Sequence, residues 1–439
     1  MFLAGNYALA RKTLLNFKYS YTRASQDENF ASMGLPGPYP AGKADLGGVV
    51  NSTKAQVGFS TRPMDKLHVH GDLKYDARRD RTPTALYNTE QLSPPRVGSP
   101  LFANGPYSPT KFDGKLEANY NLPSNYIATA GVFYEKEDVG TFPQTVNVAG
   151  LSGLRQKLEE KGWRLEMRKY MSETLNGAVS YTSSKREGDS PWLKPNALPA
   201  TGVTEVTDAQ IFSRTAIFPF IFMDRKRDKV RLMTNWSPND RLSVQFFADY
   251  GVDRYSAPTE HGLRDTSMRL YSVDVAYALT QVWKLTGYAS RGDQTVHAGH
   301  STGYDAALRD INDSVGLGLI GRVSQRAQGG VDLTWLSDTL KYDQQQDPFA
   351  SPANAAFLAA SGGLPDVTYR LVRLRFFGEY GLQKNAFVRL NFIHQRNFFN
   401  EWTYNFNGTP FLYADNTTLN AQQNQVVNFV GVSYVYKFQ

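Results

Sequence analysis

Residues 426 to 439 read Val-Val-Asn-Phe-Val-Gly-Val-Ser-Tyr-Val-Tyr-Lys-Phe-Gln. In an extended chain, successive side chains point to opposite faces. Val430, Val432, Tyr434, Tyr436 and Phe438 therefore share one face, and Gly431, Ser433 and Lys437 share the other. A strand that closes a barrel in a bilayer must pair its backbone fully and show one apolar face to lipid. The five residues Val430 to Phe438 are accordingly read as the lipid face of a barrel-closing strand.

The same alternation recurs along the chain. In 241–250, Leu242, Val244, Phe246, Ala248 and Tyr250 oppose Arg241, Ser243, Gln245 and Asp249, with Phe247 the exception. In 369–377, Val372, Leu374 and Phe376 oppose Arg373 and Arg375. In 162–168, Trp163, Leu165 and Met167 oppose Arg164, Glu166 and Arg168. Strands are expected near 5–21, 53–61, 66–75, 112–121, 125–135, 157–170, 174–184, 228–236, 241–251, 267–278, 281–291, 312–323, 326–336, 367–381, 385–396 and 425–438. Their connections alternate in length. Short ones carry turn residues, as in Ser237-Pro-Asn-Asp240 and Gln383-Lys-Asn385. Long ones, such as 22–52, 76–111 and 185–227, are in several cases rich in Pro and Gly. Short periplasmic turns and long outer loops are the pattern of outer-membrane barrels. The expected fold is all-β: an antiparallel transmembrane up-and-down barrel of about 16 strands, forming one domain over 1–439.

Composition narrows the function classes. Only 41% of the residues are hydrophobic, yet 13% are aromatic. That balance fits one lipid face, one wet face and aromatic girdles; no apolar run approaches the ~20 residues of a membrane helix. Cysteine is absent, which excludes disulfides, thiolate metal sites, a cysteine nucleophile and the Cys-x-x-Cys-His attachment of a c-type haem. The net charge of +7 is spread over alternating strands rather than clustered, which argues against nucleic acid and for a charged pore lining. Residues 1–7 lack the basic, apolar and cleavage regions of an export signal. Either an export signal has been removed or the chain is part of a larger barrel whose earlier strands precede it; since 5–21 already reads as strand, the second is the favoured expectation.

An arginine facing lipid at the midplane costs about 2–4 kcal/mol, so Arg164, Arg168, Arg373 and Arg375, with Glu166, are assigned to the lumen. His68 and His70 lie two apart opposite Leu67, Val69, Leu73 and Tyr75 and belong to the lumen as well. Two roles are open to these residues: ladders of opposed charge that hold a wide wall together, or contacts with something docked inside. His297-Ala-Gly-His300, with Asp293 and Asp305 nearby, has metal-ligand chemistry, but nothing regular is expected to fix it, so no metal site is assigned. No nucleophile with a base in reach, phosphate loop or paired-carboxylate motif stands out, and no enzyme is expected.

Several segments, in order, resemble the MtrB/PioB family of decahaem-associated outer-membrane proteins. They include Gly5-Asn-Tyr7, Tyr19-Ser-Tyr-Thr-Arg23, Phe59-Ser-Thr-Arg-Pro63, Lys74-Tyr-Asp-Ala-Arg-Arg-Asp-Arg-Thr-Pro83, Asp224-Arg-Lys-Arg-Asp-Lys-Val-Arg231, Tyr271-Ser-Val-Asp-Val-Ala-Tyr277, Asp313-Ser-Val-Gly-Leu-Gly-Leu319 and Val430-Gly-Val-Ser-Tyr-Val-Tyr-Lys-Phe438. The resemblance implies a large barrel in the bacterial outer membrane. It would sheathe a periplasmic decahaem c-type cytochrome that carries electrons across the membrane, to or from extracellular metal, mineral or an extracellular multihaem cytochrome. The haem would belong to the cytochrome, with no cofactor bound by this chain. Two departures stand out: many members carry an N-terminal cysteine pair, absent here, and family chains are longer, so roughly their C-terminal two-thirds is expected. A general diffusion porin or solute channel is the alternative.

Overall fold

The computed structural model describes residues 1–30, 32, 43–88, 101–138, 157–188, 224–256, 262–299, 304–346, 352, 356, 359, 365–401, 405–406, 409–410 and 424–437. Among them the strands are β1 (Phe2–Ala10), β2 (Thr13–Gln26), β3 (Gly48–Met64), β4 (Leu67–Asp80), β5 (Leu86–Asn88), β6 (Leu101–Ala103), β7 (Thr110–Leu122), β8 (Tyr126–Asp138), β9 (Lys157–Tyr170), β10 (Leu175–Gly188) and β11 (Asp224–Asn239). They continue with β12 (Leu242–Ser256), β13 (Gly262–Ala278), β14 (Trp283–Gly299), β15 (Tyr304–Arg322), β16 (Ala327–Gln346), β17 (Val367–Gln383), β18 (Ala386–Asn400), β19 (Asn405–Phe406), β20 (Thr409–Pro410) and β21 (Asn424–Tyr436). Seventeen belong to one antiparallel sheet; β5–β6 and β19–β20 are two-stranded ribbons within long connections.

Seventeen strands replace the expected sixteen because 5–21 is not one strand. It is a hairpin, β1 with β2, turning at Arg11-Lys12, with Phe2 opposite Ser20 and Tyr7 opposite Leu15. The turn Ala10-Arg-Lys-Thr13 holds no Gly, Pro, Asn or Asp, so the usual turn chemistry is missing. Most strands also run farther toward the long connections than expected; β16 alone has 20 residues.

The chain forms two compact units. Unit 1 comprises Met1–Glu166, Thr182–Asp228 and Arg254–Leu263; unit 2 comprises Met167–Tyr181, Lys229–Asp253 and Arg264–Gln439. In unit 1, β2, β3, β4, β7 and β8 pair in succession. One face carries the rows Leu15–Phe59–Gly71–Leu116–Val132 and Phe17–Val57–Leu73–Gly114–Tyr134. Its large apolar side chains are open to the surroundings: Val57 and Leu73 are each 50% exposed. Toward the long connections this face ends on the row Tyr19–Ala55–Tyr75–Phe112. That row continues to Lys136, which pairs with Glu159, and Lys161 lies over the Tyr134 ring. From Leu67, beside the short turn, to Tyr75 is a strand rise of about 27 Å, which on tilting matches an apolar band roughly 25 Å tall.

Unit 2 repeats the plan with β14 through β18 and β21. Its apolar face includes the row Leu285–Leu319–Val331–Phe376–Phe392–Val430. Val432 and Tyr434 are exposed on the same face, at 71% and 61%. Tyr436 closes β21 on that face; Phe438 lies outside the described residues. One polar pair sits in this face, His394 Nδ1 with Asn428 Oδ1 at 2.7 Å, so two polar groups on an apolar surface satisfy each other.

Candidate polar-face site

The opposite face of each unit is polar, and there the sheet registers bring distant residues together. In unit 1 the row Ser60–His70–Glu117–Gly131 crosses four strands. Glu117 is 5% exposed. Its carboxylate meets three donors: Lys115 Nζ at 2.8 Å, His70 Nε2 at 3.0 Å and Arg164 Nη1 at 3.1 Å. Arg164 also pairs with Glu166. Gly131 makes this packing possible, since a Cβ there would stand 2.6 Å from the Glu117 side chain. His68 bonds Ser60 Oγ at 2.8 Å, and its ring stacks 5.9 Å from that of His70. Next along the face, Asp72 accepts from Gln56 at 2.6 Å, and Lys54 pairs with Asp76 at 2.8 Å.

In unit 2 the buried acid is Asp249, 4% exposed, held by Lys229 at 2.7 Å and Arg231 at 3.0 Å. The Arg231 guanidinium lies 5.0 Å from the centre of the Phe247 ring. This accounts for the aromatic residue that interrupts the alternation in β12: it is a platform for a cation on the polar face. Farther across the unit, a cavity of about 760 Å³ is lined by Gln245, Asp274, Thr286, Asp332, Arg373 and Arg375 among others. Arg375 stands opposite Asp332, and Arg373 opposite Thr334 and Gln395. Neither arginine makes an ion pair or hydrogen bond among the described residues; Arg375 lies over the Phe377 ring at 5.8 Å.

The residues singled out in the sequence thus divide. His68, His70, Arg164 and Glu166 come together in unit 1 and are engaged with one another or with wall residues. Arg373 and Arg375 border the unit 2 cavity with their charges unspent. Arg168 is on β9 in unit 2, on the strand face that alternation gave it. Sequence reading missed Glu117, Lys115, Asp249, Lys229 and Arg231. Glu117 is found only once the register of β4 with β7 is known, and those strands are separated by a long connection. His297 is on β14 rather than in a loop and bonds Asp265 at 2.7 Å; His300 lies outside the described residues. No cluster of three metal-ligating side chains occurs among the described residues.

Comparison with known proteins completes the picture. The profile of the MtrB/PioB outer membrane beta-barrel porin family matches residues 1–438. No curated protein matches. Among solved structures, the siderophore receptor PirA from Acinetobacter baumannii is 9% identical with a TM-score of 0.50, covering 100% of this chain and 71% of that one. A ferric enterobactin receptor (PfeA) variant from Pseudomonas aeruginosa is 10% identical with a TM-score of 0.52, covering 100% and 70%. The FrpB iron transporter from Neisseria meningitidis is 10% identical with a TM-score of 0.53, covering 91% and 58%. At such identity the likeness is one of fold: bacterial outer-membrane β-barrels.

Proposed function

Because the chain belongs to the MtrB/PioB family of outer-membrane β-barrel porins, we propose that its barrel sheathes a periplasmic multihaem c-type cytochrome and positions it for electron transfer across the outer membrane. The family match over nearly the whole chain carries this reading. A protein-borne haem chain has a polar surface and cannot cross lipid bare. A barrel supplies an apolar exterior and a polar interior, and larger barrels commonly hold a plug. The barrel's part is insulation and placement, not chemistry. Having no cysteine, the chain offers no covalent haem attachment, so the haems belong to the partner; an extracellular multihaem cytochrome would take over or deliver electrons at the outer end.

The polar-face residues have separate roles in this reading. Glu117 with His70, Lys115 and Arg164 braces the wall. Arg373 and Arg375, with unspent charge beside a cavity, face the enclosed protein and pair with its carboxylates. Such interfaces are wet and polar, so either substitution alone does little, while Arg373→Gln and Arg375→Gln together loosen the complex.

The test is reconstitution of the full protein in liposomes holding an internal electron donor, with an acceptor outside. Electron transfer should require both barrel and cytochrome. The porin reading, favoured by the family's description, makes the opposite forecast: a barrel that never co-purifies with haem yet passes small solutes freely.

A further inference from the structure

Two arginines that make no ion pair among the described residues stand on the wrong face. Arg370 and Arg396 lie on the apolar side of unit 2, not on the polar side with Arg373 and Arg375. The register requires it. Arg396 shares the row Ala289–Val315–Trp335–Val372–Arg396–Val426. In that row Val315, Trp335, Val372 and Val426 are all exposed apolar side chains. Arg370 is in the next row, Arg291–Asp313–Ser337–Arg370–Phe398–Asn424, diagonal to Arg396 on the neighbouring strand.

Their height on the wall is equally defined. Tyr380, opposite Val388 and so in line with Tyr434, marks the short-turn end of this face. Eight residues along β17, about 27 Å, leads to Val372 and the Arg396 row. Arg396 is thus at the far rim of the apolar band, with Arg370 just beyond it. The cost of an arginine on the lipid face falls from about 2–4 kcal/mol at the midplane to about 0–1 near the interface, and its aliphatic stem can lie along the apolar wall. Both side chains are exposed, and neither makes a hydrogen bond or ion pair among the described residues. The neighbouring Arg291, by contrast, has Asp313 at 3.5 Å.

We propose that Arg370 and Arg396, with Trp335 and Val372 in the Arg396 row, form a docking site for a phosphorylated lipid of the outer leaflet. Its acyl chains lie along Val372, Leu374, Phe376 and Val430, and its headgroup phosphate bridges the two guanidiniums. Charge complementarity selects this occupant. A guanidinium presents a fork of donors suited to phosphate oxygens, and the long connections place this rim at the outer side of the membrane. Tryptophan at the same level suits the boundary between acyl chain and headgroup. The site is independent of whatever occupies the polar face.

The test uses the full protein in nanodiscs containing equal diphosphoryl and dephosphorylated lipid A, with retained lipid counted by native mass spectrometry. The wild type should retain the phosphorylated form preferentially, and raising NaCl should erode the preference. Arg370→Gln with Arg396→Gln should reduce the preference by about thirtyfold or to none, taking about 1 kcal/mol per arginine at a charged surface. Arg370→Lys with Arg396→Lys should retain most of it. Lys18→Gln with Lys284→Gln removes equal charge from the polar faces and should leave it unchanged. A wild-type preference that is absent or salt-independent overturns the proposal, as does an equal loss in the Lys18 and Lys284 variant. An absent or salt-independent preference in the wild type overturns the proposal even if the arginine variants fail to fold.

Discussion

At the scale of single residues, the two kinds of polar-face charge predict different mutational costs. Glu117 is nearly inaccessible and accepts from Lys115, His70 and Arg164 together. Removing one member of a buried pair leaves uncompensated charge and costs about 3–5 kcal/mol; with Lys115 half in solvent, Glu117→Gln should cost about 2–3 kcal/mol by that rule. Asp76→Asn breaks an exposed pair and should cost less than about 1 kcal/mol. Urea unfolding midpoints of the folded barrels compare the two, and equal shifts would refute the bracing role of Glu117. A second residue-scale prediction concerns Asp80, at the outer end of β4 beyond the Tyr75 rim. Burial pushes its carboxyl up, but hydrogen bonds from Thr82 and Tyr107 and the charge of Arg78 outweigh this and hold it below its ordinary 3.8. Asp80 accepts from the Thr82 amide at 3.0 Å and the Tyr107 amide at 3.4 Å, tying together the two ends of the β4–β7 connection. A depressed folded-state value means the contribution is complete above the unfolded value and disappears as pH falls through the folded one. Protection of the Thr82 and Tyr107 amides, taken as exchange relative to the intrinsic rate at each pH, should therefore fall below about pH 4, and Asp80→Asn should make it low and flat with pH.

At the scale of strands, Gly71 and Phe59 show what holds register. They are directly opposed on the apolar face of unit 1, and the Phe59 ring occupies the space a Cβ at position 71 would need. An aromatic ring covering a cross-strand glycine pins one pairing and shields the glycine backbone. Gly71→Val should displace that ring at a cost of about 1–3 kcal/mol, whereas Gly71→Val with Phe59→Ala should recover part of it; the unfolding midpoints of the single and double variants measure the coupling. The strands were legible because alternation survives in nearly every one, from Val372 against Arg373 to Trp163 against Arg164. The β1–β2 hairpin was not, because Arg11-Lys12 turns the chain without turn-type residues while apolar alternation continues on both sides. The site was half legible: parity assigns Arg373 or His70 to a face, but which charges neutralise which depends on register, and register is set across connections whose length carries no such information. Phe247 is the instructive exception, since its departure from alternation becomes intelligible only with Arg231 above it.

At the scale of the whole molecule, the two-faced wall and the sheath reading meet in one experiment. The native chain has no cysteine, so single cysteines can be introduced without background. Val372→Cys, Val432→Cys and Tyr434→Cys should react with lipid-soluble maleimides and resist water-soluble ones. Arg373→Cys and Arg375→Cys, on the polar face beside the cavity, should react with the water-soluble reagent in the empty barrel. Equal labelling on both faces would contradict the alternation from which the fold was inferred. Adding the cytochrome then separates the functional readings. A sheath should bury positions 373 and 375 and slow their labelling by about tenfold or more, while positions 372 and 432 stay as they were. A porin, which encloses no protein, should label at the same rate with or without cytochrome and should continue to conduct ions. Because each substitution removes one contact from a broad polar interface, where most single truncations cost little, the cysteine variants should themselves still bind the partner, so protection can be read from the same proteins that report the empty state.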